Sequence, residues 1–468
     1  MSYHWGDLHT NIEISQRLTR MGLNNVATAN SFAAMMCAWN PQLARLFEAN
    51  AACAKLSAHS PEPAKFNITE TEIGGQTYAV EEQDVLVLPH GTLKRFHVPD
   101  LDEERSKVLE IPPMSGHPAP TILKNAAIEM IKHHDLYMFD WHDPRNVPLE
   151  QGTFDLNDYI SYIVKALHKI GPNAHVIADC QPGVPLVAAL SVMEATDDPC
   201  LPLSATFKGS PLNTGISPTD VNSSPKAMVD LYGSKEAAVT GFRKDFIQTV
   251  GAPHVGEGQP VLHGSIQLAN FYRLAPSDHT NARLKFWWQT ALGVEPEQRE
   301  RHRSFYENYD HVTDLPGDYL VQTFDTAFLN QRIADGSFFY TDPDSGDVHH
   351  VDPANISRVS TLAVEGRKDT ITGLGQTADI LNMMTNLDPD LKRYREGPTG
   401  HYGLFDGSDY RNNTRVLTSA HMYEAEARIL GRTKKSSDPV VNLDEFRYSI
   451  LNHAALSEAR PEHAQLAA

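Results

Sequence analysis

The chain has 468 residues, 41% of them hydrophobic and 21% charged, which is the composition of an ordinary globular protein with room for one large domain or two. A formal net charge of −19 repels phosphate backbones and argues against nucleic acid as a partner. No stretch has the apolar length of a membrane span, and the start, "MSYHWGDLHTNIEISQRL", lacks a basic region followed by an apolar one, so secretion is not expected. The four cysteines, Cys37, Cys53, Cys180 and Cys200, show neither metal-type spacing nor the density of a disulfide scaffold.

Residues 1 to about 25 are polar and are expected to be mobile. An Ala-rich helical stretch follows from Asn25 to Ser57, broken near Asn40-Pro41. The segment "FNITETEIGGQTYAVEEQDVLVLPHGTLKRFHV" alternates as strands do, with a turn at Gly74-Gly75. From about residue 106 the rhythm is strand, turn, helix. "KVLEIPPM" and "DLYMFDWHD" read as strands around the helix of "TILKNAAIEMIKHH". The next helix places Leu156, Ile160, Ile163, Leu167 and Ile170 on one face, starts at the acidic Asp155 and stops at Gly171-Pro172. "AHVIADC" is a continuous apolar strand of the kind found at the centre of a parallel sheet, and "LPLSATFKGS" is another.

The alternation stops from about 212 to 355, a mostly helical, aromatic-rich insertion. Within it "DPDSGDVHH" has a misplaced glycine and no distal glutamate for a calcium loop and reads as a hairpin turn. The rhythm resumes at "RVSTLAVEG", closes on the helix of "TRVLTSAHMYEAEARIL", and leads through a charged linker to a short helical tail. The expected fold is therefore an α/β-hydrolase: a mostly parallel central sheet, helices on both faces and a helical lid insertion. The parts are a helical N-terminal extension (1–75), a first core segment (76–211), the insertion (212–355), a second core segment (356–431), and a linker and tail (432–468).

In that layout the nucleophile sits on a tight turn between a central strand and the following helix. Here the turn is Ala178-Asp179-Cys180-Gln181-Pro182-Gly183, and no Gly-x-Ser-x-Gly occurs anywhere in the chain. A free cysteine is most often a small core residue. At this corner, however, the helix dipole favours a thiolate, and the N–H of Gln181 faces a developing oxyanion. The acid and the base should follow in that order. Asp369 lies just past a strand in "VEGRKDTITG", and His401 lies on the Gly-flanked loop "GPTGHYGLFDG". A second oxyanion donor should come from "PPMSGH", through the N–H of Met114 or Ser115. The loop "FDWHDPRNVP" at the same sheet edge makes Trp141 and His142 candidates for substrate contact, with an Asp143–Arg145 salt bridge as the alternative; Tyr402, beside the base, is a third candidate.

The stretches "PPMSGHPAPTILKN", "YMFDWHDPRNVPLEQGTFDLNDYI", "HVIADCQPGVPLVAAL", "VEGRKDTITGLGQT" and "GHYGLFDGS" resemble the intracellular polyhydroxybutyrate depolymerases over about residues 80 to 430. The resemblance implies a cysteine nucleophile at Cys180, the acid at Asp369 and the base at His401. It also implies hydrolysis of amorphous poly(3-hydroxybutyrate) in the cytoplasm, at storage granules, to 3-hydroxybutyrate oligomers and monomer. No metal or organic cofactor is expected. Asp179 departs from the family's pattern, and a carboxylate beside the thiol would raise its pKa. The oligomeric state is open, a homo-oligomer included. Rival readings are a polyhydroxyalkanoate synthase on the same fold, a general cysteine-dependent esterase, and a non-catalytic granule-surface protein.

Overall fold

The computed structural model describes residues 5–59, 64–101, 105–274, 276–433 and 439–448. Eight strands form the central sheet: β1 (Glu81–Leu88), β2 (Gly91–His97), β3 (Lys107–Ile111), β4 (Asp135–Trp141), β5 (Ala174–Asp179), β6 (Ser204–Lys208), β7 (Ser360–Gly366) and β8 (Lys392–Gly397). Their spatial order is β8-β7-β6-β5-β3-β4-β2-β1. The pairs β1–β2 and β2–β4 are antiparallel and the other five are parallel. This is the strand order of an α/β-hydrolase, with the crossovers placing helices on both faces.

The central strands are buried on both faces, which is why β5 and β6 read as unbroken runs rather than as alternation. The expected helix after β4 is Leu156–Ile170. Asp155 accepts from the N–H groups of Asn157 and Asp158, Asp158 accepts from Asp155 in return, and Gly171 ends the helix with φ +83°. The helix after β5, Gly183–Ala195, is apolar nearly all round because it lies sealed in the main core.

The amino end differs from its reading. A helix runs from Trp5 to Met36, so the stretch before Asn25 is not a mobile lead-in. Its polarity misled. The helix turns small residues, Ala27 and Ala34, inward against a second helix, Pro41–Ala58, and buries His9 on Asp314 of the insertion. The break at Asn40-Pro41 is real: Asn40 caps the second helix through the N–H of Leu43, with Pro41 in its first turn. This hairpin of helices rests on the insertion, where Leu56 packs with Phe286 and Tyr306 and Trp287 donates to Asn50 Oδ1 at 2.8 Å.

The insertion is mainly helical (Asp220–Tyr232, Lys235–Phe246, Gly264–Leu274, Pro276–Leu292, Pro296–Tyr309, Gly317–Thr323). "DPDSGDVHH" turns between the antiparallel strands Phe339–Thr341 and Val348–His350, a hairpin as read. The helical tail expected after the charged linker lies outside the described residues beyond Tyr448. Residues 439–448 run past β8, where Tyr448 donates to Asn382 Oδ1 at 2.9 Å.

Candidate active site

Cys180 follows the last residue of β5 with φ +70°, a left-handed conformation that costs a side-chain-bearing residue energy and persists only where its surroundings hold it. Two contacts hold it here. The Cys180 N–H donates to Lys208 O on β6 at 2.8 Å. The next helix also begins so close to β6 that a Cβ on Gly183 would lie 2.4 Å from Ser210 Cβ. The turn therefore lifts the sulfur out at the carboxyl edge of the sheet.

Two loops bring side chains to it. Asp369, beyond β7, accepts from the N–H groups of Ile371 (2.8 Å) and Thr372 (2.9 Å), and its side chain is 1% exposed. Its Oδ2 is 2.7 Å from Nδ1 of His401, which stands on the turn after β8. The Cys180 sulfur lies close enough to the same imidazole to act on its basicity. Burial alone would lower the His401 pKa. Cys180 and Asp369 more than offset that and hold it well above its ordinary value. An acid, an imidazole and a thiol from three separate strand ends are thus brought together.

Residues 209–426 match the family described as PHB de-polymerase C-terminus. The matched span holds Asp369 and His401 and starts just past Lys208, so the Cys180 elbow lies outside it. No curated protein matches the chain. Solved structures that resemble it include a monoacylglycerol lipase of Paleococcus ferrophilus (12% identity, 68% of this chain and 94% of that one, TM-score 0.39). A 2-hydroxy-6-oxo-6-phenylhexa-2,4-dienoate hydrolase of Rhodococcus sp. strain RHA1 is another (11%, 74% and 100%, TM-score 0.36). A third is a carboxylesterase of Nitrososphaera gargenis (10%, 72% and 98%, TM-score 0.39). Such distant overlaps say nothing of the chemistry. The strand order and the elbow carry the fold assignment, and the family match over residues 209–426 supports an ester hydrolase.

The remaining sequence candidates fall into two groups. Gln181 follows the sulfur at the start of the helix, and among the described residues its N–H meets no backbone carbonyl. The same holds for Met114 and Ser115 on the loop after β3. That loop is fixed from behind: Pro112 O accepts from Trp141 Nε1 (3.0 Å) and the Tyr159 hydroxyl (3.1 Å), and Gly116 O accepts from the Thr313 N–H (2.8 Å). Tyr402 lies beside His401, with ring centroids 5.9 Å apart, and is 46% exposed.

Trp141 and His142 have their polar atoms engaged within the fold. The Trp141 indole stacks on Phe139 (4.6 Å) and donates its N–H to Pro112 O, which braces the loop after β3. His142 uses both nitrogens on the antiparallel edge, Nε2 with Thr92 Oγ1 and Nδ1 with Pro89 O, each at 2.9 Å. Their loop took the alternative, an ion pair between Asp143 Oδ2 and Arg145 at 2.7 Å.

Asp179 does not act on the thiol as an isolated charge. Its carboxylate meets Lys208 Nζ at 2.8 Å, and Lys208 also meets Glu110 at 3.1 Å, so three neighbouring strands share one sealed charge cluster. Burial and Glu110 push the Asp179 pKa up against the pull of Lys208.

Sequence reasoning missed several residues around the triad. Gly209 (φ +57°) lies so near the base that a Cβ would stand 2.9 Å from Leu404 Cδ1 and 3.2 Å from His401 Cε1. Buried Tyr159 and Tyr319 both sense the Cys180 sulfur, which with burial raises their pKa values. His117 stacks on Phe271 of the insertion (4.6 Å, 11°) and reaches Tyr309 O at 2.9 Å. "PPMSGH" pointed to the His117 loop, but nothing in the sequence marks Tyr319 among the insertion's many aromatics.

Proposed function

We propose that the chain is a depolymerase that hydrolyses poly(3-hydroxybutyrate) through a cysteine acyl-enzyme, with Cys180 as nucleophile, His401 as base and acid, and Asp369 as the group that orients the imidazole. The observation that carries this reading is the Asp369–His401 hydrogen bond beside Cys180 at a left-handed strand-to-helix turn. The raised basicity of His401 favours the proton on the imidazole and the charge on sulfur. Sulfur attacks an ester carbonyl, forming the C–S bond, while N–H groups of Gln181 and of Met114 or Ser115 hold the oxyanion. The C–O bond of the ester breaks, and the leaving hydroxyl end of the polymer takes the proton from His401. Water then attacks the thioester and gives a proton to His401, and the C–S bond breaks to release the carboxylic acid and restore the sulfur. The half-exposed Tyr402 beside His401 supplies an aromatic contact for an uncharged, flexible chain.

No helix among the described residues is long and apolar enough to cross a membrane. In this reading the enzyme works in the cytoplasm at the surface of storage granules.

A synthase would use the same three residues with a hydroxyacyl-CoA donor. The deciding experiment exposes the protein briefly to amorphous poly(3-hydroxybutyrate), and separately to hydroxybutyryl-CoA, followed by peptide mass spectrometry. A hydroxybutyryl adduct on the Cys180 peptide after polymer, with release of free acid, is expected. Polymer growth from the CoA ester, or an adduct elsewhere, overturns the proposal.

A further inference from the structure

A second group of chemistry-bearing residues uses none of the triad. His9 on the first helix, and His263 and Asp314 on the insertion, are 0%, 3% and 1% exposed. One ligand atom from each lies within 4.8 Å of the others. His9 Nε2 is 2.8 Å from Asp314 Oδ2, and the His9 and His263 rings have centroids 4.8 Å apart. His263 ends the strand Pro260–Leu262 and Asp314 precedes its antiparallel partner Leu315–Pro316, so the pairing of these two strands fixes two of the three residues.

The surroundings are those of a cation site. Asp314 Oδ1 accepts from the Gly264 N–H at 2.8 Å, and its Oδ2 faces His9 Nε2 at 2.8 Å and Arg145 Nε at 3.4 Å. His263 Nδ1 is 2.8 Å from Ser265 Oγ, and its Nε2 is buried with no partner. The Ser265 N–H donates to the same Nδ1 at 3.1 Å, so without a cation the ring proton sits on Nε2; a metal at Nε2 displaces it to Nδ1, where Ser265 Oγ accepts it. His9 Nδ1, 4.0 Å from Glu13 Oε2, is likewise buried without a hydrogen-bond partner. Glu13 is held in turn by His254 Nε2 (2.9 Å) and Arg145 (3.4 Å), the arrangement of a carboxylate behind a ligating histidine.

Charge points the same way. Glu13, Asp143 and Asp314 all face one guanidinium, Arg145, at 3.4, 2.7 and 3.4 Å. With neutral histidines the cluster holds two negative charges in excess, which a buried site must neutralise.

We propose that His9 Nε2, His263 Nε2 and Asp314 Oδ2 bind one divalent cation of the zinc class, fastening the N-terminal helix to the insertion. Two imidazoles and one carboxylate suit zinc, with a water completing the tetrahedron. Calcium and magnesium, which take oxygen ligands, are excluded by the same donor set. Binding displaces the proton on His9 Nε2, and the tautomer with N–H on Nδ1 faces Glu13. The chain-distant positions 9, 263 and 314 explain why no spacing motif announces the site.

The test uses the full-length protein, stripped with chelator and titrated with zinc sulfate, read by metal content after gel filtration, by the d–d spectrum of the cobalt form and by Tm. One tightly held zinc per chain, a tetrahedral cobalt spectrum and a zinc-dependent rise in Tm are expected. His263→Gln and Asp314→Asn should each lose the tight site. Glu13→Gln should weaken it about 10- to 100-fold while leaving the stoichiometry. His168→Ala alters a separate, more exposed His168–Asp198–Cys200 group and should change nothing. Absence of tight binding by the wild type, or tight binding that survives both ligand substitutions, overturns the proposal. Loss of the site in His168→Ala overturns it as well. Should His263→Gln fail to fold, the cobalt spectrum of the wild type decides, since an octahedral all-oxygen spectrum contradicts the ligand set.

Discussion

Two buried ion clusters sit side by side at the carboxyl edge of the sheet, and they behave differently. In one, Asp179 and Glu110 share Lys208 across three strands. In the other, Asp369 holds His401, which in turn meets Cys180. Phe405 stands between them, edge-on to His401 at 5.2 Å and 5.8 Å from Lys208 Nζ. A lysine held charged by two carboxylates does no proton chemistry at neutral pH; burial opposes the charge, yet Asp179 and Glu110 push the Lys208 pKa far up. An imidazole can take and give a proton, so the same pairing of a carboxylate with a base becomes a reactive centre. The identity of the cation, more than its burial, separates scaffold from chemistry.

Substitutions on each side break this contrast. The largest effect is expected for Asp369→Asn, which keeps the shape but withdraws the charge that orients His401. Ester hydrolysis should fall about 10⁴-fold, as when a triad acid is neutralised, with folding nearly unchanged. Steady-state kinetics and a denaturation curve on the same preparation check both halves.

Lys208→Met should do the reverse. Leaving two carboxylates sealed without their cation costs about 3–5 kcal/mol. Urea titration reads this, and adding Glu110→Gln and Asp179→Asn to the same chain should recover part of it.

A third test concerns a histidine that lacks a carboxylate. Burial pushes the His117 pKa down to about 4, although the hydrogen bond to Tyr309 O works the other way, whereas His401 is pushed up. The folded form keeps His117 neutral while the unfolded chain takes the proton below its ordinary value near 6.5. Stability from this group is therefore full above that value and is lost as pH falls toward about 4. The loss amounts to about 3 kcal/mol. Replacing His117 with Gln should flatten the acid limb of Tm against pH by that amount and leave the neutral region less affected.

The smallest effect is expected at the seam between the clusters. Gly209→Ala adds a methyl at φ +57°, 2.9 Å from Leu404 and against His401, and should cost about 1–3 kcal/mol. Its kcat should drop more than its KM rises, because the methyl displaces the base.

Much of the fold was legible because its signals are local. The helix Leu156–Ile170 has its apolar face, its Asp155 cap and its Gly171 stop written in consecutive residues, and β5 shows its burial as an unbroken apolar run. The Cys-Gln-Pro corner was legible for the same reason: strand, bend and helix are contiguous. Where meaning depended on partners far along the chain, the reading failed. The polar start hid a helix because what buries His9 is Asp314, on the other side of the insertion. The partners that hold the polar atoms of Trp141 and His142, the carbonyl of Pro112 and the hydroxyl of Thr92, were out of reach of a local reading for the same reason.

The sequence by itself determined the rhythm of strands and helices, the corner that carries Cys180, and the order in which an acid and a base follow it, all set by backbone preference and the period of apolar residues. The tertiary structure alone decided that Asp369 reaches His401, that Asp179 is answered by Lys208, and that two histidines and an aspartate from distant segments close on one another. Charges and lone pairs act over a few ångströms of space, and only folding turns separation along the chain into such distances.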